Sequence, residues 1–262
     1  MKKVLIAGFG LLLLFVIAMK LFPALEERSE RRRLIAEQEQ VVLPEPEESA
    51  LQSSSVSSSS SPLPSPASSS PSSLRADINW DVPFTSQAPF GEWDALHGEA
   101  CEEASVLMVL RYFSGQKIAS PDDAEKAIQH FVAANEALGF PVDDTAAEVI
   151  TLLKSEDSSV SATLLKNPSI DDLKSVLSAG SLVIVPAAGQ QLGNPYFRRP
   201  GPRYHMLVLR GYTKDGYVIT NDPGTKHGEQ YAYKWETMMN AIHDWNGGEV
   251  ESGAKVVVVV RR

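Results

Sequence analysis

The sequence predicts an α+β domain in which N-terminal helices pack on an antiparallel sheet. Helical patterns with capping residues come first in the region after residue 77, and short runs rich in Val and Ile follow them. Turn residues join several of these runs directly, and the helices are grouped rather than alternating with strands, which argues against a doubly wound parallel sheet. The chain has 262 residues, 43% of them hydrophobic, which suits one or two compact units.

Four helices are expected in the first half of this region. The first begins at Cys101 and extends to residue 113, because apolar side chains recur there at helical spacing. Ser120 is placed to cap the second, which Gly139 closes. The third covers 144–154, and the fourth follows Ser169 and stops at Gly180.

The strands are expected where Val and Ile accumulate. The predicted ranges are 182–186, 205–212, 217–220 and 255–261, with a helix over 234–245 between the last two. Asp215 and Gly216 form a turn signal between the second and third strands, so these two strands are expected to form a hairpin.

The N-terminal part of the chain predicts a membrane tether. Residues 1–25 contain an apolar run that follows Lys2 and Lys3. Because no small-residue cleavage site follows this run, an uncleaved anchor is favoured over a signal peptide. Residues 26–76 are charged and then rich in Ser and Pro, which predicts a disordered linker to a domain at 77–262. We expect a single-pass protein of the cell membrane with an extracytoplasmic domain, although four arginines at 28–33 weigh against that orientation.

Composition excludes several functions. The net charge of −9 falls entirely on the region after residue 75, so nucleic acid is not an expected partner. The motifs that bind metals and nucleotides are missing from the sequence, and no cofactor is implied. Cys101 is the only cysteine, which excludes an intramolecular disulfide.

Cys101 is either buried filler or a nucleophile. A thiol at the start of a helix is near the positive end of the helix dipole, which favours the thiolate. Glu102 and Glu103 oppose this effect with negative charge, and they also favour the helix start. The sequence leaves their net effect on the thiol undecided.

His205 and Asp222 complete the candidate catalytic group. If the hairpin turn has four residues, Asp222 faces Leu207 and lies on the same side of the hairpin as His205. A turn of three residues would place Asn221 there instead. In this scheme His205 takes the thiol proton and Asp222 orients its ring. The N–H of Cys101 and the side-chain amide of Gln87 are candidate donors to the oxyanion.

These residues stand in an order that resembles a known family. The chain contains the segment Val82-Pro83-Phe84-Thr85-Ser86-Gln87, then Cys101 opening a helix, His205 on a strand and Asp222-Pro223-Gly224 on the next strand. In this order the segments resemble those of the papain-like, bacteriocin-processing cysteine peptidases, which cleave after a double-glycine leader. The likeness is closer to stand-alone, peptidase-like members. It implies a papain-like fold, with Cys101 as nucleophile, His205 as base, Asp222 as orienting acid and Gln87 as oxyanion donor. Glu102 and Glu103 depart from the usual pattern, as does the long spacing from Gln87 to Cys101.

The sequence therefore predicts a membrane-tethered thiol peptidase that acts on peptide or protein substrates. A catalytically silent peptide-binding domain, a thiol acyltransferase or transglutaminase, and a cell-wall endopeptidase stay open as alternatives. Nearby features have less specific interpretations. His97 is expected in an exposed loop over 91–98, and the loop over 190–203 could overhang the cleft.

Overall fold

The computed structural model describes residues 77–262, which contain a seven-stranded sheet and six α-helices. The strands are β1 Ile78–Asn79, β2 Ser161–Lys166, β3 Leu182–Ala188, β4 Tyr204–Tyr212, β5 Tyr217–Asn221, β6 Tyr231–Lys234 and β7 Val256–Arg261. The helices are α1 Cys101–Ser114, α2 Pro121–Leu138, α3 Ala146–Glu156, α4 Ile170–Ser178, α5 Gly189–Leu192 and α6 Trp235–Ala241.

Every strand pairing in the sheet is antiparallel. The strand order is β2-β7-β3-β4-β5-β6, and β1 adds a short pairing to β4. The prediction of an α+β fold with helices on an antiparallel sheet is therefore confirmed. The helices cover both faces, with α1, α2 and α3 in one apolar cluster and α4 and α6 in the other.

The predicted helix boundaries follow from their caps. Ser120 accepts a hydrogen bond from the N–H of Asp123, and a left-handed Gly139 ends the same helix. Ser169 caps α4 in a capping box. Thr145 forms a second capping box, so α3 begins at Ala146 rather than at residue 144.

Several elements were not predicted, and one was predicted too long. No local pattern indicated β1, β2, β6 or α5, because these elements are short or carry few Val and Ile residues. The helix expected over 234–245 ends at Ala241. Beyond it the chain pairs with β3, because Ile242 bridges to Ala187 and the N–H of His243 donates to the carbonyl of Pro186.

The predicted anchor at 1–25 and linker at 26–76 lie outside the described residues. Over 77–262, no helix is both long enough and apolar enough to cross a membrane.

Candidate active site

The β4–β5 hairpin brings Asp222, rather than Asn221, to the face of His205. Near the turn, Tyr212 pairs with Val218, one residue away from the predicted register. A β-bulge at Arg210 corrects this shift, so Val208 pairs with Asn221 further along. Continuing that register by one residue places Asp222 opposite Leu207, as predicted for the catalytic face.

Asn221 has a different position and role. Its side-chain amide donates to the carbonyls of Val82 and Pro83 at 3.1 and 3.2 Å. Its Oδ1 accepts a hydrogen bond from the buried Arg210 at 3.0 Å. Asn221 therefore ties the segment that leads to Gln87 onto the sheet.

His205 and Asp222 form a buried hydrogen-bonded pair. Nε2 of His205 lies 2.8 Å from Oδ1 of Asp222, and the two residues are 1% and 0% exposed. Because an ionised carboxylate can only accept, Nε2 is the nitrogen that carries the hydrogen. Among the described residues Nδ1 has no hydrogen-bond partner, which leaves it as the nitrogen able to accept a proton.

Asp222 is surrounded by donors. Its Oδ1 also accepts from the N–H of Gly224 at 3.0 Å. Its Oδ2 accepts from the hydroxyl of Tyr233 at 2.5 Å and from the amide of Asn194 at 3.1 Å. Burial alone would raise the pKa of Asp222, but the charge of His205 and these hydrogen bonds outweigh it and lower the pKa. The carboxylate that orients His205 is therefore ionised near neutral pH.

Cys101 opens α1 at the edge of β4. Its Sγ donates to Oε2 of Glu102 at 2.9 Å and accepts from the N–H of Met206, the residue after His205, at 3.3 Å. Within residues 77–262 no hydrogen bond joins the thiol to the His205 ring. Burial raises the pKa of Cys101 well above its usual value, and the charge and hydrogen bond of Glu102 raise it further. The influence of Glu102, which the sequence left undecided, is to favour the protonated thiol.

Behind the thiol lies a group of buried acidic side chains. Burial, together with Glu103 and Asp144, raises the pKa of Glu102 well above its ordinary value. Burial also raises the pKa of Glu103 to about 7. The amide of Asn135 donates to Glu103 at 2.9 Å and to Asp144 at 2.6 Å. In the described part of the chain, no group of His, Cys, Asp and Glu has the arrangement of a metal site.

The side-chain amide of Gln87 is bound to the loop that leads to Cys101. Nε2 donates to the carbonyls of His97 and Gly98 at 2.9 and 3.2 Å, within the loop that leads to Cys101. The backbone N–H of Gln87 donates to the carbonyl of Pro223, next to Asp222. The segment thus connects the loop before the thiol with the loop after the acid. For Gln87 to donate to an oxyanion, its amide must give up its bond to the carbonyl of His97 or to that of Gly98.

His97 differs from the sequence expectation. It lies in the predicted loop, yet the residue is only 9% exposed. Its ring is held between Asp94 and Glu125, each at 2.8 Å. Burial lowers the pKa of His97, but these two carboxylates outweigh burial and raise it. The pairing with Glu125 anchors the loop to α2.

The loop before β4 covers the His205 ring, as its position in the sequence suggested. Phe197 packs edge-on against His205, with ring centroids 5.3 Å apart. On another side Gly224 comes so close that an added Cβ would lie 2.9 Å from Cε1 of His205. Only glycine fits there without displacing the ring. A peptide therefore reaches the site only if some of these covering residues move.

Three contributors to the site were not identified as site residues from the sequence. Asn194 and Phe197 lie in the loop before β4, and Tyr233 lies on β6. Tyr233 could have been found had β6 been recognised, because the strand pairs with β5 and directs alternate residues toward the site. Nothing in the spacing of Asn194 or Phe197 indicates their contacts.

Comparisons with known proteins give a family match and several similar solved structures. A model of the peptidase C39-like family matches residues 80–248. No curated protein matches the chain. Similar solved structures include a Bacillus anthracis protein described as C39-like, with 18% identity over 71% of this chain and 98% of its own, and a TM-score of 0.46. A Prevotella intermedia prointerpain A fragment has 15% identity over 73% of this chain and 74% of its own, and a TM-score of 0.45.

The family match spans well over half of the 262 residues and includes Gln87, Cys101, His205 and Asp222. The chain belongs to the peptidase C39-like family. It is therefore a cysteine peptidase, and its substrates are peptides or proteins.

Proposed function

We propose that this C39-like cysteine peptidase hydrolyses peptide bonds with Cys101 as nucleophile, His205 as base and Asp222 as the acid that orients His205. The observation that carries the proposal is the buried pair between Nε2 of His205 and Oδ1 of Asp222, next to the helix start that bears the thiol. A buried ionised carboxylate stabilises the imidazolium that forms when the thiol loses its proton.

The proton path follows from the hydrogen bonds. Because Nε2 of His205 is directed at Asp222, Nδ1 is the atom that receives the proton from Sγ. The thiolate then attacks the substrate carbonyl, and His205 later protonates the leaving amine. Water releases the acyl group in a second step, with His205 again acting as base.

The oxyanion is assigned to two donors. The backbone N–H of Cys101 lies at the first position of α1, where a helix leaves its N–H groups without helical partners. Gln87 supplies the second donor if its longer bond, to the carbonyl of Gly98, is exchanged for the oxyanion. This exchange would couple substrate binding to the loop before Cys101.

The proposal also includes tethering at the cell membrane. The apolar run in residues 1–25 supports an anchor, and the Ser- and Pro-rich segment within 26–76 supports a leash for an extracytoplasmic domain. Protease treatment of intact cells tests this topology. Digestion of the domain without lysis is expected, and protection until lysis would contradict the assignment.

Peptide hydrolysis by the full-length protein and its His205→Ala variant tests the chemistry. We expect the variant to lose activity by roughly 10³-fold or more, since removing one member of a triad disables the unit. His227→Ala is a suitable control, because the His227 ring lies against Tyr196 and, among the described residues, forms no hydrogen bond with Asp222 or Cys101. Equal hydrolysis by wild type and His205→Ala would overturn the assignment.

A further inference from the structure

The strongest unexplained feature of the site is the contact between Cys101 and Glu102. The Sγ–Oε2 distance is 2.9 Å, and the two residues are 5% and 1% exposed. A nucleophile in a Cys–His unit would be expected to share its proton with histidine. Here the thiol proton points to a carboxyl group that the proposed mechanism does not use.

The surroundings of Glu102 make this proton difficult to remove. On its own helix it faces Cys101 and Glu103, and from the loop before α3 it faces Asp143 and Asp144. Tyr204 on β4 also faces Glu102, and Tyr204 in turn contacts Asp244. Among the described residues Glu102 forms no salt bridge. Each additional negative charge is therefore repelled by its neighbours in a region of low dielectric.

We propose that Glu102 keeps the thiol of Cys101 protonated by accepting its hydrogen bond. The resting site then contains a neutral thiol bound to Glu102 rather than a thiolate paired with His205. The inference rests on the proposed role of Cys101. While Glu102 is ionised, it accepts the S–H bond and opposes thiolate formation.

Proton movement within this contact leaves its total charge unchanged. If the proton passes from Sγ to Oε2, the products are a thiolate and a neutral carboxylic acid, which can donate its O–H back to sulfur. For His205 to accept the proton instead, the bond to Glu102 must break and Sγ must turn toward Nδ1. Glu102 thus acts as the proton-holding residue, in competition with His205.

Alkylation of Cys101 tests the proposal without any substrate. Cys101 is the only cysteine of the chain, so iodoacetamide labelling of the full-length protein reports one thiol. The rate would be measured by intact mass between about pH 5 and pH 9 for wild type, Glu102→Gln and Glu103→Gln. Glu103 is the matched control, because it is the adjacent buried carboxyl group but bonds to Asn135 rather than to Sγ.

We expect Glu102→Gln to accelerate alkylation at neutral pH by roughly three- to tenfold, because loss of the carboxylate lowers the pKa of Cys101 and increases its thiolate fraction. The gain is limited because a thiolate of lower pKa is also a weaker nucleophile. Glu103→Gln is expected to give less than about a twofold change, because its charge acts on the thiol only from a distance. Equal acceleration in the two variants, or none in Glu102→Gln, would overturn the proposal.

The wild-type profile provides a test that does not depend on a folded variant. A resting thiol held by Glu102 should have its alkylation midpoint above the ordinary thiol value of about 8.5. A midpoint below that value would overturn the proposal. The proposed function fails separately, if His205→Ala leaves peptide hydrolysis unchanged, because the alkylation profile does not require hydrolysis.

Discussion

Asp222 and Glu102 are two fully buried carboxyl groups, one bonded to His205 and the other to Cys101, yet their protonation is driven in opposite directions. Asp222 accepts hydrogen bonds from His205, Tyr233, Asn194 and the backbone of Gly224. Glu102 accepts one hydrogen bond from the thiol of Cys101 and a long one, at 3.4 Å, from the N–H of Asp144. Burial raises the pKa of both carboxyl groups, but only Asp222 has enough donors, together with its favourable interaction with His205, to reverse that effect.

The comparison shows that burial alone does not determine the protonation of an acid in this site. The difference comes from what each carboxyl group faces, which is donors for Asp222 and other carboxyl groups for Glu102. One side of the site is therefore suited to hold negative charge, and the other is suited to hold a proton. Variants that remove the donors around Asp222, or the carboxyl groups around Glu102, should therefore weaken the property of the side that they change.

The largest effect is expected from Asp222→Asn, which removes the charge from the donor-rich side. An amide at this position cannot both accept from Nε2 of His205 and stabilise the imidazolium, so hydrolysis should fall by roughly 10⁴-fold. Steady-state kinetics with a peptide substrate measure the loss. Asp215→Asn, in the exposed hairpin turn, is the control. Retention of more than about a tenth of the activity would contradict the role of Asp222.

The buried carboxyl groups of Glu103 and Asp244 should make the protein less stable as pH rises. Burial raises the pKa of Glu103 to about 7 and that of Asp244 to about 6, so the folded state holds protons that the unfolded chain releases above about pH 4. The free energy of unfolding should therefore fall between about pH 5 and pH 8, by up to roughly 3 kcal/mol from Glu103. Asp222 has the opposite sign, because its stabilisation is present above about pH 4 and is lost in stronger acid.

Urea unfolding of the full-length protein at several pH values measures this slope. Glu103→Gln should flatten it, because the amide does not titrate. The exposed Glu251→Gln is a matched control and should leave the slope as in wild type. If Glu103→Gln and wild type lose stability equally over this range, the buried acid is not the cause.

A smaller effect is expected from Tyr233→Phe, which removes one donor from Asp222 and retains the other three. A hydrogen bond to a charged group contributes about 1.5–3 kcal/mol, so activity should fall by roughly tenfold or somewhat more. The loss of a donor raises the pKa of Asp222, and the acid limb of the pH–rate profile should move to higher pH. Tyr231→Phe is the control on the same strand. A Tyr233→Phe profile that coincides with wild type would show that this hydroxyl is dispensable.

The sequence predicted the features that depend on local pattern. Ser120 and Ser169 marked helix starts because capping is a local hydrogen bond, and the strands rich in Val and Ile were recognised because burial requires such residues. The fold class followed from their order along the chain. The short strand β6 was missed because a four-residue edge strand carries little signal.

Within the site, parity along the hairpin predicted Asp222 on the side of His205, and the pairing is reached because the bulge at Arg210 offsets a turn one residue longer than the predicted one. The contact of Cys101 with Glu102 could not be predicted, because it depends on the side-chain conformations of adjacent residues and on the acids packed behind them. The bonds of Gln87 to the loop before Cys101 depend on how a loop closes, which the sequence does not encode locally. Assignments of this kind require the tertiary structure.

The bulge at Arg210 restricts how this hairpin can change in length during evolution. Its extra residue compensates for a turn that is one residue longer than the catalytic register needs. A change of length that slid β5 by one position past the part of β4 beyond the bulge would present Asn221, not Asp222, to His205. Deletion of Arg210 itself would remove the bulge but leave Val208 paired with Asn221, so Asp222 would still lie opposite Leu207. Insertions and deletions here are therefore compatible with an aspartate beside His205 only where the turn or the bulge absorbs them.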